Sequence, residues 1–172
     1  MKILGIAGLA GSGKTTLAGY FTQYGWVRDR FAEDLKTSVS SLFDIPMESL
    51  EDPKAKLKVD PRYGKSPREI MQLFGTECIR RHFGAMFWVE KLHSRVTSRE
   101  ANTVIDDVRF MEEAAYIRKF GVLIHVVRHD VSTKDTHESE RGITPMEGEV
   151  ILQNNGPMIN LWNFVQAFEP TL

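Results

Sequence analysis

The amino-acid sequence predicts an α/β fold: a five-stranded parallel sheet flanked by helices, within a single domain spanning residues 1–172. Three observations predict it. Short apolar runs at 2–7, about 26–29, 102–108, 122–127 and 149–153 alternate with helical segments, the order that builds a parallel sheet with helices on both faces. Between the first run and the first helical segment lies Gly8-Leu9-Ala10-Gly11-Ser12-Gly13-Lys14-Thr15, which satisfies the phosphate-binding pattern G-x-x-x-x-G-K-[ST] at every fixed position. Finally, 172 residues suit one domain with a full core.

Taken in order, Lys2 to Ala7 is a short apolar run of buried-strand type. The glycines that follow let backbone N–H groups converge on phosphate oxygens, and the next helix adds partial positive charge at its N-terminus. Ala10, Gly11, Ser12, Gly13, Lys14, Thr15 and Thr16 are therefore the candidate phosphate-binding residues. Lys14 would reach the β- and γ-phosphates of a nucleoside triphosphate, and Thr15 would place its hydroxyl on a magnesium ion. Leu17, Tyr20 and Phe21 recur at helical spacing, and Gly25 is placed to end that helix. Ala32, Leu35, Val39, Leu42 and Phe43 form a second helical stripe that stops at Ile45-Pro46. Residues 47–65 are charged and carry Pro53, Pro61 and Gly64, which reads as a mobile surface excursion or a plain solvated loop. Ser66-Pro67-Arg68-Glu69 then combines an N-cap serine, a proline at the first helical position and a glutamate completing a capping box. Ile70, Leu73, Phe74 and Cys78 are the expected apolar stripe of that helix. Trp88, Val89, Leu92 and Val96 mark another helix, and Met111 to Phe120 a further one closed by Gly121. Residues 129–148, polar and between two strands, are where a closing lid would sit. The last helix, about 158–168, follows the turn Asn154-Asn155-Gly156-Pro157. Its Trp162, Phe164 and Phe168 suit either core or a homodimer surface, core being the preferred reading.

The second chemical constellation is Thr103-Val104-Ile105-Asp106-Asp107-Val108-Arg109-Phe110, an apolar strand ending in carboxylates. A magnesium-side acidic residue beside a phosphate loop has this placement. Side chains alternate along a strand, so Asp107 and Arg109 share a face while Asp106 points away. On that reading Asp107 holds the metal or its water and Arg109 a phosphate; the alternative is that Asp106 or Asp107 caps the next helix. Arg68, Arg80, Arg109, Arg128 and Arg141 fall at predicted element ends or in the lid. Two phosphate-bearing substrates need several guanidinium forks, although any one arginine also reads as a surface charge.

Several classes are not supported. The net charge of −1 with mixed signs leaves no footprint for a nucleic acid polymer. The lone Cys78 excludes an intrachain disulfide and a multi-cysteine metal site, and fits a reducing compartment. No stretch is apolar enough to span a membrane, and the chain enters its first strand at once, so no signal peptide is expected. A GTP-dependent switch would carry N-K-x-D and D-x-x-G, and neither occurs.

The sequence resembles the deoxynucleoside monophosphate kinases best known from bacteriophages, over nearly its whole length. The resemblance rests on Gly8–Thr15, on Phe31-Ala32-Glu33-Asp34-Leu35-Lys36, and on Ser66 to Glu77 with Arg80 and Trp88. It continues in Asp107-Val108-Arg109-Phe110 with Glu113-Ala114, in His137-Glu138-Ser139-Glu140, and in Asn154-Asn155-Gly156. It implies a P-loop kinase with an acceptor-binding insertion at about 31–88 and a lid at about 129–148. It implies ATP as donor, Mg²⁺ as cofactor, a deoxynucleoside monophosphate as acceptor and a cytoplasmic location, that of the host if phage-encoded. It places Glu33, Asp34, Lys36, Arg68, Gln72, Arg80, Trp88, Asp107 and Arg109 on the acceptor side. Asn154 and Gly156 would lie near the adenine, and Lys14, Arg109, Arg128 and Arg141 would be the catalytic cations. The family pattern F-A-D-P-L-K reads Glu33-Asp34 here, which keeps the carboxylate one methylene longer or moves it to Asp34. Phosphomevalonate and dephospho-coenzyme A kinases share the loop, the sheet and a similar Asn-Gly turn, and are the alternative reading.

Overall fold

The computed structural model describes residues 1–131 and 136–172. These divide into two compact units, Met1–Arg30 with Leu92–Leu172, and Phe31–Lys91.

The first unit is built on a fully parallel five-stranded sheet. Its strands are β1 (Ile3–Ala7), β2 (Val27–Asp29), β3 (Thr103–Val108), β4 (Val122–Val127) and β5 (Val150–Gln153), in the order β2-β3-β1-β4-β5. The central strand β1 is buried along its length, as expected of a strand covered on both faces. On one face lie α1 (Lys14–Thr22) and α8 (Ile159–Phe168), with Leu17, Phe21, Leu161 and Val165 packed on Leu4, Ile6, Val104 and Ile124. Phe164 and Phe168 pack against this same core, and Trp162 meets Tyr20 and Tyr24, so the C-terminal aromatic residues are partly buried within the unit. On the other face, α7 (Met111–Phe120) presses Ile117 so close to β1 that a Cβ on Gly5 would fall 2.7 Å from it. Helix α7 runs over the predicted span. Glu113 reaches back over its start, its carboxylate accepting from the N–H groups of Arg109 and Phe110, and the N-cap position is Phe110 rather than Asp106 or Asp107.

The second unit holds α2 (Glu33–Phe43), α3 (Met47–Glu51), α4 (Pro67–Gln72), a π-helical segment (Leu73–Arg80) and α5 (Arg81–Phe83). Helix α6 (Phe87–Arg99) begins here and continues into the first unit. Val39, Ile45, Leu50 and Ile70 form its core. The capping box at Ser66 is present in full: Ser66 N–H donates to Glu69 Oε2 at 2.7 Å, and Glu69 N–H donates to Ser66 Oγ at 3.3 Å. Three expectations are corrected. Residues 47–65 are not a plain loop, because Leu50 of α3 is buried and Ala55–Leu57 form a 3₁₀ turn. Leu42 is 65% exposed, off the buried stripe of α2. Leu73 and Cys78 are exposed too, since i→i+5 closure adds a residue to each turn and rotates Gly75 and Thr76 inward instead. That turn brings Gly75 against Leu35, where a Cβ would meet Cδ2 at 2.6 Å.

The expected lid at 129–148 includes residues 132–135, which lie outside the described residues. Of its described part, Glu138–Glu140 form one 3₁₀ turn. No described helix is long and apolar enough to cross a membrane.

Candidate active site

The phosphate loop joins β1 to α1. Gly8, Gly11 and Gly13 have φ of 146°, 84° and 106°, a region that L side chains rarely adopt. Gly8 and Gly13 are also sterically obligatory: a Cβ on Gly8 would sit 2.4 Å from Val126 O, and one on Gly13 2.4 Å from Asn154 Nδ2. Lys14 is buried and its Nζ donates to the Gly8 and Leu9 carbonyls at 2.7 and 2.8 Å. Burial first, and then the nearby Arg109 charge, pushes the Lys14 ammonium down to about 8, while Glu140, Asp106 and Asp107 act the other way. The loop thus encloses a cation on carbonyl oxygens, and a bound phosphate would act to raise it again. Ser12 Oγ, also buried, has no hydrogen-bond partner among the described residues.

The carboxylate that meets this loop is Asp106. Thr15 Oγ1 donates to Asp106 Oδ2 at 2.9 Å, and Arg28 of β2 reaches the same oxygen at 2.6 Å. Asp106 Oδ1 is buried without a partner among the described residues. Asp107, the sequence-predicted metal ligand, is not the residue brought against Thr15. Val104 packs in the cluster that holds Leu17 and Phe21 of α1, and the Thr15 contact brings Asp106 to the N-terminus of that same helix. Across Asp106 and Asp107 the pairing advances from Gly5↔Ile105 to Ala7↔Val108, one more residue on β3 than on β1, a bulge that breaks the simple alternation linking Asp107 to Arg109. A hydroxyl and a carboxylate oxygen beside a phosphate cradle are donors of the kind Mg²⁺ takes, the remaining positions going to water and substrate phosphates. The residues present therefore fit the ion.

Asn154 at the end of β5 is 9% exposed, and its Nδ2–H donates to Ser12 O at 2.7 Å. Its backbone N–H donates to Val127 O at 2.7 Å. Its amide therefore fastens the phosphate loop. Gly156 is exposed, and a Cβ there would lie 2.3 Å from Asn160 Nδ2. The other predicted cations separate. Arg109 NH1 donates to Glu140, and more distantly to Ser139 O at 3.5 Å. Arg128 is exposed and forks onto Asp130 at 3.1 and 3.2 Å. Arg141 is exposed, and its backbone N–H closes the 3₁₀ turn onto Glu138 O.

Within the second unit, Glu33 and Asp34 occupy the first turn of α2, and Lys36 of that helix pairs with Glu51 at 3.4 Å. Arg68 and Gln72 are half-buried on α4. Arg80 closes the π segment, its NH1 donating to Ala85 O at 3.0 Å. Trp88 is 6% exposed with its indole N–H committed to Gly75 O at 3.1 Å. It braces the π segment rather than offering a donor to a ligand.

Residues 47–165 match the family model for deoxynucleotide monophosphate kinase. The chain belongs to the deoxynucleotide monophosphate kinase family. A protein of Acanthamoeba polyphaga mimivirus assigned to the same kinases is 31% identical, with 90% of this chain and 89% of that protein aligned. The deoxynucleotide monophosphate kinase of Enterobacteria phage T4 is 29% identical over 59% of this chain, and that match spans 44% of the phage protein. A dephospho-CoA kinase from Campylobacter jejuni shares the fold, with a TM-score of 0.56 at 14% identity over 99% of this chain and 98% of that one. The chain is thus a nucleotide kinase of P-loop fold.

Sequence reasoning about this kinase missed three groups. Arg28 lies in a three-residue strand with no motif around it. Asp29, 4% exposed, accepts from Arg95 at 3.0 Å and Arg99 at 3.1 Å, one helical turn apart on α6. That spacing of two arginines was the available signal. Glu149, just before β5, joins Arg118 of α7 at 2.7 Å to buried His125 of β4 at 2.8 Å. The hydrogen bond from Arg118, with those from Met146 N–H and His125, holds its carboxyl down at about 2 against the cost of burial.

Proposed function

We propose that this chain transfers the γ-phosphoryl group of ATP to a deoxynucleoside monophosphate, giving ADP and the deoxynucleoside diphosphate. The observation that carries the reading is the Thr15–Asp106 contact beside a glycine cradle, in a chain of the deoxynucleotide monophosphate kinase family. Phosphoryl transfer asks for two anions held in line and for charge stabilisation, with little covalent help from protein. The backbone N–H groups of Ala10 to Thr15 bind the donor phosphates. Lys14 leaves the Gly8 and Leu9 carbonyls for the β- and γ-phosphate oxygens. Its stabilisation grows as charge develops on the transferring group. Thr15 and Asp106 would hold Mg²⁺, which shields the donor phosphates when bound. Asn154 holds the loop backbone in register through Ser12.

Acceptor binding falls to Arg109, Arg68, Gln72 and Arg80, with Glu33 or Asp34 as the acidic contact. This assignment is supported by the family motifs and by the chemistry of guanidinium with phosphate. Each charge-assisted pair is worth roughly 1.5–3 kcal/mol, about ten- to a hundredfold in affinity. Arg80→Ala and Arg109→Ala are each expected to raise the acceptor KM by such factors and to leave the ATP KM nearly unchanged. The deciding experiment is phosphoryl transfer from ATP to each deoxynucleoside monophosphate and its ribo counterpart. Turnover of phosphomevalonate or dephospho-coenzyme A, with none of any deoxynucleoside monophosphate, would refute the reading.

A further inference from the structure

The turn His137–Arg141 carries a motif that the reaction as described leaves without a task, and its geometry supplies one. His137 caps the turn: Nδ1 accepts from Ser139 N–H at 3.2 Å and lies 2.9 Å from Ser139 Oγ. The turn closes again through Glu140 N–H onto His137 O at 2.9 Å and Arg141 N–H onto Glu138 O at 3.2 Å. A segment of three 3₁₀ residues has little stability of its own, so these local bonds are what preset its shape. Its product is the placement of one side chain. Glu140 is 5% exposed and its carboxylate meets Arg109 NH1, which also points at Ser139 O. Both side-chain hydrogen bonds of Arg109 among the described residues leave from NH1, and the Arg109 side chain keeps 32% of its exposure. One nitrogen of the fork is anchored by a buried carboxylate while the side chain as a whole stays one-third accessible. From the backbone side, Glu113 fixes the Arg109 N–H at 2.7 Å.

We infer that Glu140, held by the His137–Ser139 cap, is a positioning residue that aims Arg109 at the acceptor phosphate. The inference rests on the assignment of Arg109 to the acceptor made above. A long arginine left free samples many rotamers and gives up that freedom on binding, whereas an anchored one has already lost it. The anchor also keeps a buried carboxylate paired, which makes the arrangement mutual. The competing idea is that Glu140 occupies the place of the phosphate and must be displaced. The two ideas give opposite signs.

The experiment is a double-mutant cycle on the full chain, with Arg109→Ala, Glu140→Ala and the pair. Steady-state kinetics are read with ATP and the acceptor varied in turn, and each variant is checked by a melting curve. Glu140→Ala is expected to raise the acceptor KM about tenfold, with the ATP KM within about twofold, and the double variant to be no worse than Arg109→Ala alone. Glu140→Gln keeps the shape and a hydrogen-bond acceptor, so it should recover part of the loss; it also serves if Glu140→Ala does not fold. Ser139→Gly with His137→Ala, which loosens the cap and leaves both charges, should shift the acceptor KM in the same direction and by less. A fall in acceptor KM in Glu140→Gln or Glu140→Ala, or additive effects in the double variant, overturns the inference. If Arg109→Ala itself leaves the acceptor KM unchanged, the acceptor assignment of Arg109 fails, and this inference with it. If Arg109→Ala raises it while both Glu140 variants behave as wild type, the inference alone fails.

Discussion

Asn154 offers the sharpest separation between what family resemblance implies and what the geometry shows. The resemblance places it near the adenine, yet its amide N–H is given to Ser12 O at 2.7 Å, and it stands where a Cβ on Gly13 would collide with it. Asn154→Ala removes the donor from a carbonyl in a buried residue. Leaving such a group unsatisfied costs about 1–3 kcal/mol. If that cost falls on the binding-competent shape of the loop, the ATP KM rises by about 5- to 150-fold. Asn154→Asp should be at least as damaging, since a carboxylate cannot donate and sets like against like at Ser12 O. The assay is binding and turnover with three probes: ATP, GTP and inorganic tripolyphosphate. A latch on the loop weakens all three by one common factor, because each depends on the same backbone N–H groups. A base-reading residue would change the ATP to GTP ratio and leave tripolyphosphate binding as in the wild type. That second pattern, in a variant that still melts within a few degrees of wild type, would refute the latch. Melting curves apportion the rest, at about 2–4 °C per kcal/mol for a chain of this size.

Three further outcomes follow from the same geometry. Asp106→Asn should lower kcat by about a hundredfold or more at saturating Mg²⁺, while Asp107→Asn stays within a few-fold; the reverse order, measured by steady-state turnover, would return the metal-side role to Asp107. Lys14, held at about 8 in the fold against an ordinary 10.5, leaves the unfolded chain with more bound protons between those values, so stability should rise with pH across that window by up to about 3 kcal/mol. Lys14→Met should abolish that rise in urea midpoints taken from pH 8 to 10, and should cut kcat heavily in a chain that remains folded. Glu149 runs the other way: its depressed carboxyl stabilises the fold above about pH 4.5, and that contribution is lost as pH falls toward 2. Glu149→Gln should therefore remove about 1–2 kcal/mol at pH 7, allowing for partial solvent screening, and little at pH 2, as read by denaturant titration.

The elements legible in the sequence are those whose physics closes locally. The capping box at Ser66 spans four residues and is present bond for bond. The phosphate loop needs only its own glycines and the adjacent strand and helix, and three of those glycines take the φ values the pattern demands. The five strands and helix α7 announced themselves through runs and periods that any parallel sheet with covering helices must show. Failure begins where a local rule assumes its own continuation. The stripe Ile70, Leu73, Phe74, Cys78 presumes 3.6 residues per turn, and the π segment from Leu73 to Arg80 withdraws that premise. Leu73 and Cys78 turn outward while Gly75 takes the closest approach to Leu35. Nothing in the residue types of 73–80 declares a change of pitch, although a glycine flanked by bulky residues within a helical stripe is the trace it left.

The site fails to be legible for a related reason, since its deciding contacts are long in sequence and short in space. Thr15 and Asp106 are 91 residues apart, and Ser12 and Asn154 are 142 apart. Choosing between Asp106 and Asp107 requires knowing which face of β3 carries α1, and alternation supplies two faces without saying which is which. Val104 packs in the same cluster as Leu17 and Phe21 of α1, and Asp106 lies two residues on. The contact of Thr15 with Asp106 at 2.9 Å is what puts that carboxylate on the side of the phosphate-loop helix, because the bulge after Ile105 leaves alternation alone unable to do so. Long-range contacts of this kind are absent from motif spacing, and cross-strand pairing explains Arg28. Arg28 pairs with Val104 across β2 and β3, so its side chain emerges on the face that holds Asp106. A three-residue strand without a motif thus places a cation on the carboxylate that faces the loop.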